Sequence, residues 1–251
     1  MSKYTEAEII NNLCIVKDIY LISLRLPFLF QAKAGQFCIL RLNKRFDPLL
    51  GRPFSIFDSN KNVVRFLYRV KGKGTAILSK MKKGEVLYFT GPLGRWYPYP
   101  ENNFVVIAGG IGLASVYYLI KNFPKKAFLF YGVKTEKEIL FYEKLKKMTK
   151  KVYISTENVK QDAIAEYTGV VTELFKDKGA NLNLPVYACG PMIMLKELKK
   201  IIKETVPCYV AVEERMACGV GACLGCVIET SRGLKRICTD GPVFELRELK
   251  L

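Results

Sequence analysis

Four cysteines near the C-terminus restrict what this chain can fold into more than any other feature of its sequence. Cys218, Cys223 and Cys226 form the spacing C-x4-C-x2-C, and Cys238 follows twelve residues later. This is the plant-type spacing for a [2Fe–2S] cluster, in which four thiolates hold two bridged irons. Glycine and alanine lie between the cysteines, so the backbone can wrap the cluster and direct N–H groups at its sulfurs. The spacing therefore predicts a [2Fe–2S] site with these four ligands.

A structural zinc site is the alternative for the same four cysteines. Zinc sites with four thiolates usually show two C-x2-C knuckles, whereas one C-x2-C is present in this run. On that alternative the chain would be a non-catalytic interaction module stabilised by zinc. Colour separates the two hypotheses, because zinc leaves a protein colourless and iron–sulfur does not.

The composition narrows the remaining chemistry. The chain contains no histidine, which excludes Rieske ligation, His-bound zinc and histidine bases. The other four cysteines stand singly among apolar neighbours and are expected to be mostly buried free thiols. They are Cys14, Cys38, Cys189 and Cys208. Free thiols and the lack of a signal peptide predict a reducing cytoplasm.

Positive charge is spread over the chain rather than concentrated. The net charge is +17, yet no basic run exceeds two consecutive residues. This distribution indicates a lysine-rich solvated surface, and attraction to an acidic partner is the second interpretation. Because no basic and aromatic stripe is present, nucleic-acid binding is not predicted. The longest apolar stretch, residues 104–120, carries glycines at its centre and is short for a membrane span. We therefore predict a strand, a turn and a helix there, and no membrane segment.

Two rhythms of secondary structure divide the chain. From residue 4 to about 94, short β-type runs alternate with turn residues, which predicts an antiparallel barrel with one helix at 75–81. After a linker at 98–100, strands and helices alternate, which predicts a parallel sheet covered by helices. The predicted class is α+β multidomain: a barrel over 1–98, an α/β nucleotide-binding domain over 99–208, and a [2Fe–2S] segment over 209–251.

The elements predicted in the second part follow its apolar runs. Strands are expected at 104–108, 127–132, 151–155 and 185–189, and helices at 114–122, 139–147, within 168–178 and at 192–203. Two of the strand-to-helix turns are glycine-rich: Gly109, Gly110 and Gly112 in the first, and Gly190-Pro191 after Cys189 in the second. Such turns let the backbone approach a pyrophosphate, although each could also be an ordinary tight turn.

In the barrel, Arg52-Pro53-Phe54-Ser55 offers a guanidinium for a phosphate and a hydroxyl beside it. Leu67-Tyr68-Arg69 precedes a second glycine-rich helix start that contains Gly74-Thr75. Each motif alone could be ordinary barrel structure, so the order of the motifs along the chain carries more weight than any single one.

That order resembles the ferredoxin–NADP reductase superfamily: R-x-x-S in a barrel, G-x-G-T, G-P-L-G at the barrel's exit, then G-G-I-G and C-G-P. Within it, the run from Glu214 to Cys226 and the run Cys238-Thr239-Asp240-Gly241-Pro242-Val243-Phe244 are similar to the electron-transfer subunits of class 1B dihydroorotate dehydrogenase. The resemblance covers essentially the whole chain in the same order.

The resemblance implies an FAD on the barrel and an NAD on the parallel sheet. Arg52 would meet the FAD pyrophosphate, Gly74 and Thr75 its phosphates, and the other barrel motif residues would flank the flavin: Pro53, Phe54, Ser55, Leu67, Tyr68 and Arg69. NAD would lie across Gly109, Gly110, Gly112, Gly190 and Pro191. Cys189 would then lie near the nicotinamide, its alternative role being that of a core thiol.

The resemblance also implies a partner. In the family, an FMN-containing catalytic subunit oxidises dihydroorotate, and electrons pass through [2Fe–2S] and FAD to NAD for pyrimidine (UMP) biosynthesis, in a heterotetramer with two copies of each subunit. A flavin mediates between two-electron nicotinamide and a one-electron cluster. Two alternatives remain: a self-contained oxygenase reductase, disfavoured by the short cluster segment, and the corresponding subunit of a sulfhydrogenase or of an NAD(P)H:ferredoxin oxidoreductase.

A preference for NAD over NADP is expected from the end of the strand at 151–155. In the reductases a serine–arginine pair there grips the extra phosphate, whereas here Thr156 and Glu157 follow Ser155. A carboxylate at that place repels a 2′-phosphate. The nearby positive charges of Lys134 and Lys160 would instead attract it.

Overall fold

The structure, a computed structural model, describes residues 3–43, 47–158 and 164–251. Its first part is an antiparallel sheet with the strand order β4-β3-β7-β1-β2-β6-β5 and one short helix. These elements are β1 Lys3–Val16, β2 Ile19–Arg25, β3 Phe37–Arg41, β4 Arg52–Ser55, β5 Asp58–Asn60, β6 Val63–Arg69, α1 Lys73–Leu78 and β7 Val86–Leu93. Phe54 of β4 contacts Tyr68 of β6 edge-on, with ring centroids 5.6 Å apart. The sheet therefore curls so that two strands far apart in its order meet.

The second part is a sheet with the order β11-β10-β9-β8-β12-β13-β16, parallel except for β16. Its elements are β8 Phe104–Gly109, α2 Leu113–Asn122, β9 Ala127–Thr135, α3 Tyr142–Met148, β10 Lys151–Asn158, β11 Tyr167–Thr168, α4 Val171–Lys178, β12 Val186–Cys189, α5 Met192–Ile201 and β13 Cys208–Ala211. The chain ends with the hairpin β14 Val227–Thr230 and β15 Gly233–Arg236, helix α6 Ile237–Asp240, and β16 Val243–Glu245.

Alternate side chains of the central strand β8 enter different cores, as the period of a strand requires. Val105 and Ile107 lie in a core with helices α4 and α5. Phe104 and Val106 lie in a second core with α2, which also includes Phe57 and other barrel residues. Both faces of the parallel sheet are thus covered, and one of the two covers continues into the barrel.

The cysteine segment shares a core with the sheet instead of folding on its own. Cys226, Ile237 and Cys238 belong to the same buried cluster as Val186 of β12 and Leu195 of α5. Strand β13 lies parallel to β12, and β16 lies antiparallel to β13. The segment from residue 209 onward therefore adds two strands to the parallel sheet, and the expected boundary at 208/209 falls inside β13. The three domain ranges stay a proposal.

The predicted fold class is confirmed, and the predicted elements are present with shifted ends. Helix α1 begins two residues earlier than expected, and α5 ends at Ile201 rather than at 203. Helix α3 begins at Tyr142, later than expected, because Phe141 before it has a left-handed φ of 55°. Residues 104–120 form the expected strand, short turn and helix.

The single cysteines follow their prediction with one exception. Cys38, Cys189 and Cys208 are buried free thiols, whereas Cys14 is exposed on β1. The thiol of Cys14 donates to the Val16 carbonyl at 3.2 Å, and the neighbouring side chain of Leu13 is exposed as well. No helix in the described residues is long and apolar enough to cross a membrane.

Asp58 joins the barrel to the parallel-sheet domain. Its buried carboxylate accepts from Arg65 of β6 at 3.0 Å and from Lys121 of α2 at 2.6 Å. Beside it Phe57 stacks on Tyr117 of α2, with ring centroids 3.9 Å apart. A buried carboxylate between two cations and a stacked aromatic pair fix the orientation of α2 against the barrel.

We expect Asp58→Asn to lower the free energy of unfolding by about 1–2 kcal/mol, because Arg65 and Lys121 both lose their charged partner and the neutral amide keeps a single oxygen acceptor for them. Urea denaturation of the full chain measures the change. Glu8→Gln is the matched control, since the Glu8–Arg25 pair at 3.0 Å is largely exposed and such pairs contribute about 0–1 kcal/mol. Equal losses in the two variants would contradict a joining role for Asp58.

Candidate active site and iron–sulfur site

A cleft of about 260 Å³ lies between the barrel and the parallel-sheet domain. Nine of the residues expected at the flavin or the nicotinamide line it: Arg52, Pro53, Phe54, Ser55, Leu67, Tyr68, Arg69, Thr75 and Cys189. The barrel strands β4 and β6 supply most of them, because the curl of the sheet brings these two strands together. The structure therefore gathers motifs that are up to 137 residues apart in sequence.

Arg52 lies at the edge of this cleft, directly over Gly74. A β-carbon on Gly74 would lie 2.0 Å from Nε of Arg52 and 2.3 Å from its Cζ. The guanidinium donates to the Leu50 carbonyl, and partial burial lowers the pKa of Arg52 while Asp47 acts to raise it. Lys73 pairs with Asp47, so that carboxylate is shared. Gly74 is thus required for the position of Arg52, whatever ligand the two bind.

The turn before α1 is held by Thr75. Its Oγ1 accepts from the backbone N–H groups of Lys71 at 2.9 Å and Gly72 at 3.1 Å. Thr75 and Lys71 both line the cleft. The turn therefore presents a lysine and a hydroxyl on the same side as Arg52, an arrangement suited to phosphate oxygens.

Aromatic side chains form the wall on the barrel side. Tyr68 stacks on Tyr20 with centroids 5.6 Å apart, and its hydroxyl donates to Oδ1 of Asn12 at 3.0 Å. Burial raises the pKa of Tyr68, so it remains a neutral phenol. Arg69 leaves the same strand toward the other domain, where it pairs with Glu138 at 2.5 Å. Arg69 thus both lines the cleft and links the two domains beside it.

The two glycine-rich turns contact each other at the carboxyl ends of the neighbouring parallel strands β8 and β12. A β-carbon on Gly112 would lie 2.1 Å from the carbonyl oxygen of Cys189, and one on Gly109 would lie 2.9 Å from Pro191. A β-carbon on Gly190 would lie 2.5 Å from Cε of Met194 and 3.2 Å from Cα of Gly109. These three glycines are therefore needed for close contact between the turns themselves.

Gly110 differs from the other glycines of these turns. It has a φ of +53°, and a β-carbon there would meet no atom within 4 Å. It presents open backbone at the edge where dinucleotides bind in parallel sheets. The assignment of Gly109, Gly110, Gly112, Gly190 and Pro191 to NAD stays a prediction, which the open position of Gly110 supports.

Cys189 ends β12 and is buried, yet it lines the cleft. Burial raises the pKa of its thiol, and the charge of Glu213 raises it further. Tyr97 closes the space behind it, with its hydroxyl 3.3 Å from Oγ of Ser115 and donating to the Ala188 carbonyl at 3.2 Å. Cys189 is therefore a neutral thiol in a fixed position, suited to contact a ligand rather than to react as a thiolate.

The C-terminal segment supplies cleft residues that the sequence motifs did not indicate. Glu213, Glu214, Met216 and Pro242 line the cleft together with the barrel residues. They reach it because β13 lies beside β12 and because β16 returns next to β13. The sequence motifs associate the run from Glu214 with the cluster, and no local pattern shows that its first residues face the cleft.

The cysteine loop directs backbone donors at a sulfur. The N–H of Cys223 donates to Sγ of Cys218 at 3.4 Å, and backbone donors including Val220 lower the pKa of Cys218 to about 6. Gly219 and Gly221 have φ values of 70° and 82°, which favour glycine. A β-carbon on Gly219 would also lie 2.1 Å from Cδ1 of Ile39. The loop is thus shaped to hold an anionic thiolate at neutral pH.

The second pair of cysteines is deeper. The N–H of Cys238 donates to Sγ of Cys226 at 3.4 Å, and both residues are buried. Burial raises the pKa of Cys238 to about 11, and the neighbouring Cys226 adds to the effect. A metal bound there would displace the thiol proton.

Two N–H···S hydrogen bonds link the four cysteines in pairs, Cys223 to Cys218 and Cys238 to Cys226. Within the described residues, no group of three or more Cys, Asp or Glu side chains is arranged to hold a single ion. A [2Fe–2S] cluster takes two thiolates for each iron, so the pairs Cys218–Cys223 and Cys226–Cys238 match its ligand set. The residues present fit this cluster, and their assignment as its ligands stays a prediction.

The residues expected to select NAD are only partly described. Glu157 is exposed at the end of β10, and Lys134 is exposed on the neighbouring strand β9. Lys160 lies outside the described residues. The preference for NAD over NADP therefore stays a prediction that rests on Glu157.

We expect Gly74→Ala to weaken FAD retention, because the added methyl group occupies the position of the Arg52 guanidinium. Gly72→Ala is the matched control, since a β-carbon on Gly72 would meet no atom within 4 Å. Flavin content after dialysis measures the difference, with a loss of about tenfold in affinity expected for a displaced charged phosphate contact. Equal flavin content in the two variants would contradict the role given to Arg52.

Comparison with known proteins agrees with this geometry. The family model "Iron-sulfur cluster binding domain of dihydroorotate dehydrogenase B" matches residues 213–250, and "Oxidoreductase NAD-binding domain" matches residues 106–200. A solved structure of an NADH-dependent reduced ferredoxin-NADP oxidoreductase has a TM-score of 0.85 at 26% identity, over 97% of this chain and 89% of that one. A ferredoxin NADP+ reductase from Neisseria gonorrhoeae with bound FAD and NADP shares the fold at a TM-score of 0.66 and 17% identity, over 85% and 94%.

Two relatives match along nearly their whole length. The dihydroorotate dehydrogenase B (NAD(+)) electron transfer subunit of Clostridium acetobutylicum is 38% identical over 253 residues, which cover 99% of this chain and 98% of the relative. The electron transfer subunit homolog of Aquifex aeolicus is 37% identical over 252 residues and 98% of each chain. The chain therefore belongs to the family of dihydroorotate dehydrogenase B electron transfer subunits.

Proposed function

We propose that this chain passes electrons from a dihydroorotate-oxidising catalytic subunit to NAD+ in pyrimidine biosynthesis, and that it holds FAD and a [2Fe–2S] cluster for this purpose. One observation carries the proposal: a single cleft is lined by all three parts of the chain. Arg52 and Tyr68 come from the barrel, Cys189 from the parallel sheet, and Met216 and Pro242 from the cysteine segment. Residues that would contact a flavin and a nicotinamide therefore meet residues that flank the cysteine loop at one place.

The chain's own residues would bind the cofactors and orient them. Arg52, Lys71 and Thr75 supply a charge-assisted site for the FAD pyrophosphate, and Tyr68 with Phe54 forms the wall against the ring. FAD supplies the exchange between hydride transfer and single-electron transfer when it is bound. The neutral thiol of Cys189 would contact the nicotinamide without adding charge, and Tyr97 packs in the same buried core.

The surface around the cysteine loop is suited to a partner. Cys223 is exposed, and so are the apolar side chains of Val220 and Leu224, at 54% and 62%. Leu224 also has a φ of 54°, a left-handed conformation that is strained for such a residue. An exposed leucine held in a strained conformation beside the cluster favours a docking role. We therefore propose that the FMN-containing catalytic subunit binds here, in a heterotetramer with two copies of each subunit.

A second candidate function is that of the corresponding subunit of an NADH-dependent reduced ferredoxin-NADP oxidoreductase, which the TM-score of 0.85 favours. The two functions differ in the partner that delivers electrons and in the final acceptor. All eight cysteines are free, which supports action in a reducing cytoplasm for either candidate.

We expect the purified chain, loaded with FAD and cluster, to reduce artificial acceptors with NADH and to leave dihydroorotate unchanged. Addition of an FMN-containing catalytic subunit should restore dihydroorotate-dependent reduction of NAD+. Orotate formation and NADH absorbance measure the two reactions. Partner-free chain that forms orotate would contradict the proposal, and a chain that couples only to ferredoxin and NADP would favour the second candidate.

We expect Leu224→Glu to weaken binding of the catalytic subunit by at least about tenfold, because a buried interface position loses an apolar anchor and gains an unpaired charge. Leu29→Glu is the matched control, since Leu29 is 76% exposed on the connection between β2 and β3. Calorimetric titration with the catalytic subunit measures the affinities. Unchanged binding of the Leu224 variant would place the interface elsewhere.

A further inference from the structure

We propose that the side-chain hydroxyl of Thr239 donates a hydrogen bond to a sulfur of the [2Fe–2S] centre and thereby raises its reduction potential. This proposal rests on the proposed function, since it requires the cluster. Thr239 lies in α6, directly after Cys238, whose N–H donates to Sγ of Cys226 at 3.4 Å.

Thr239 also contacts the other cysteine loop. A β-carbon on Gly221 would lie 2.9 Å from the methyl carbon of Thr239 and 3.5 Å from its Oγ1. Gly221 lies between Cys218 and Cys223. The side chain of Thr239 is therefore placed between the loop that carries one pair of cysteines and the helix that carries a member of the other pair.

The position of Thr239 is fixed by its neighbours on both sides. The backbone N–H of Arg236 donates to Oδ2 of Asp240 at 2.8 Å. The Arg236 guanidinium lies 3.5 Å from the same carboxylate oxygen and donates to the Gly221 carbonyl at 3.3 Å. These contacts connect α6 to the cysteine loop, so Thr239 has little freedom to turn its hydroxyl to solvent.

The hydroxyl oxygen of Thr239 is buried and has no hydrogen-bond partner among the described residues. A threonine in a helix or at its end can bond the carbonyl four residues earlier, as Thr149 after α3 does with Leu145 at 2.8 Å. An unpaired buried hydroxyl is destabilising, because it has lost its hydrogen bonds to water and gained none in the protein. A cluster held by the four cysteines would bring sulfur acceptors to the space between the Gly221 loop and α6.

A hydroxyl donor at position 239 would change the reduction potential of the cluster electrostatically. The cluster gains negative charge when it is reduced, and a hydrogen bond to its sulfur is stronger for the more negative form. Reduction is therefore more favourable with the hydroxyl than without it. Valine has nearly the shape of threonine and lacks the donor, and serine keeps the donor and lacks the methyl group.

The test is a redox titration of the full chain, loaded with FAD and cluster, followed by the EPR signal of the reduced cluster. We expect Thr239→Val to make one-electron reduction about tenfold less favourable, a shift of about 59 mV to lower potential, with unchanged iron content. Thr239→Ser should keep the wild-type potential. A valine variant with the wild-type potential would overturn the proposal.

Further outcomes distinguish an effect of Thr239 on the reduction potential from an effect on the folding of the cysteine segment. If Thr239→Val binds less iron, the reduction potential of Thr239→Ala is measured instead, and the same shift to lower potential is expected. Loss of iron from both variants would overturn the proposal in favour of a structural role. A wild-type chain without the EPR signal of a [2Fe–2S] cluster would overturn the proposed function and this assignment together, whereas an unmoved potential overturns this assignment alone.

Discussion

The pairing of β13 with β12 is the contact on which the arrangement of the whole molecule depends. It places the residues before the cysteine loop at the carboxyl edge of the parallel sheet, next to Cys189. From there Glu213, Glu214 and Met216 reach the cleft that the barrel residues line. Without this strand the cysteine segment would have neither a core of its own nor a route to the flavin site.

The same pairing explains how so short a segment keeps its shape. Cys226, Ile237 and Cys238 are buried in a core that β12, α4 and α5 complete. A segment of this length buries too little surface to be stable alone. Packing against the sheet therefore stabilises it, and the cluster that it is proposed to hold would stabilise it further. Gly219 against Ile39 of β3 attaches the loop to the barrel as well.

Local sequence patterns predicted what depends on local geometry. The alternation of strands and helices and the two glycine-rich turns follow from neighbouring residues, and the predicted strands and helices are present. The ligands that the cysteine spacing indicates stay a prediction. The contact between Arg52 and Gly74 and the position of Met216 in the cleft depend on residues distant in sequence. The curl of the barrel and the register of β13 determine these contacts. Neither can be predicted from a pattern of neighbouring residues.

Two further differences have the same origin. The single cysteines are expected to be mostly buried because their neighbours are apolar, yet Cys14 is exposed on β1. The glycines at positions 109, 112 and 190 were read as phosphate-binding, and the structure shows that contact between the two turns also requires them. Their burial against each other leaves Gly110 as the open backbone position at this edge.

The central claim is that one chain places a flavin between a nicotinamide and an iron–sulfur cluster. An anaerobic titration of the purified chain with NADH, followed by flavin absorbance and by the EPR signal of the reduced cluster, tests it most directly. The account predicts that NADH reduces the cluster in FAD-loaded chain and fails to do so in chain depleted of FAD. Equal reduction of the cluster with and without FAD would contradict it, as would a cluster that dithionite reduces and NADH leaves oxidised in the FAD-loaded chain.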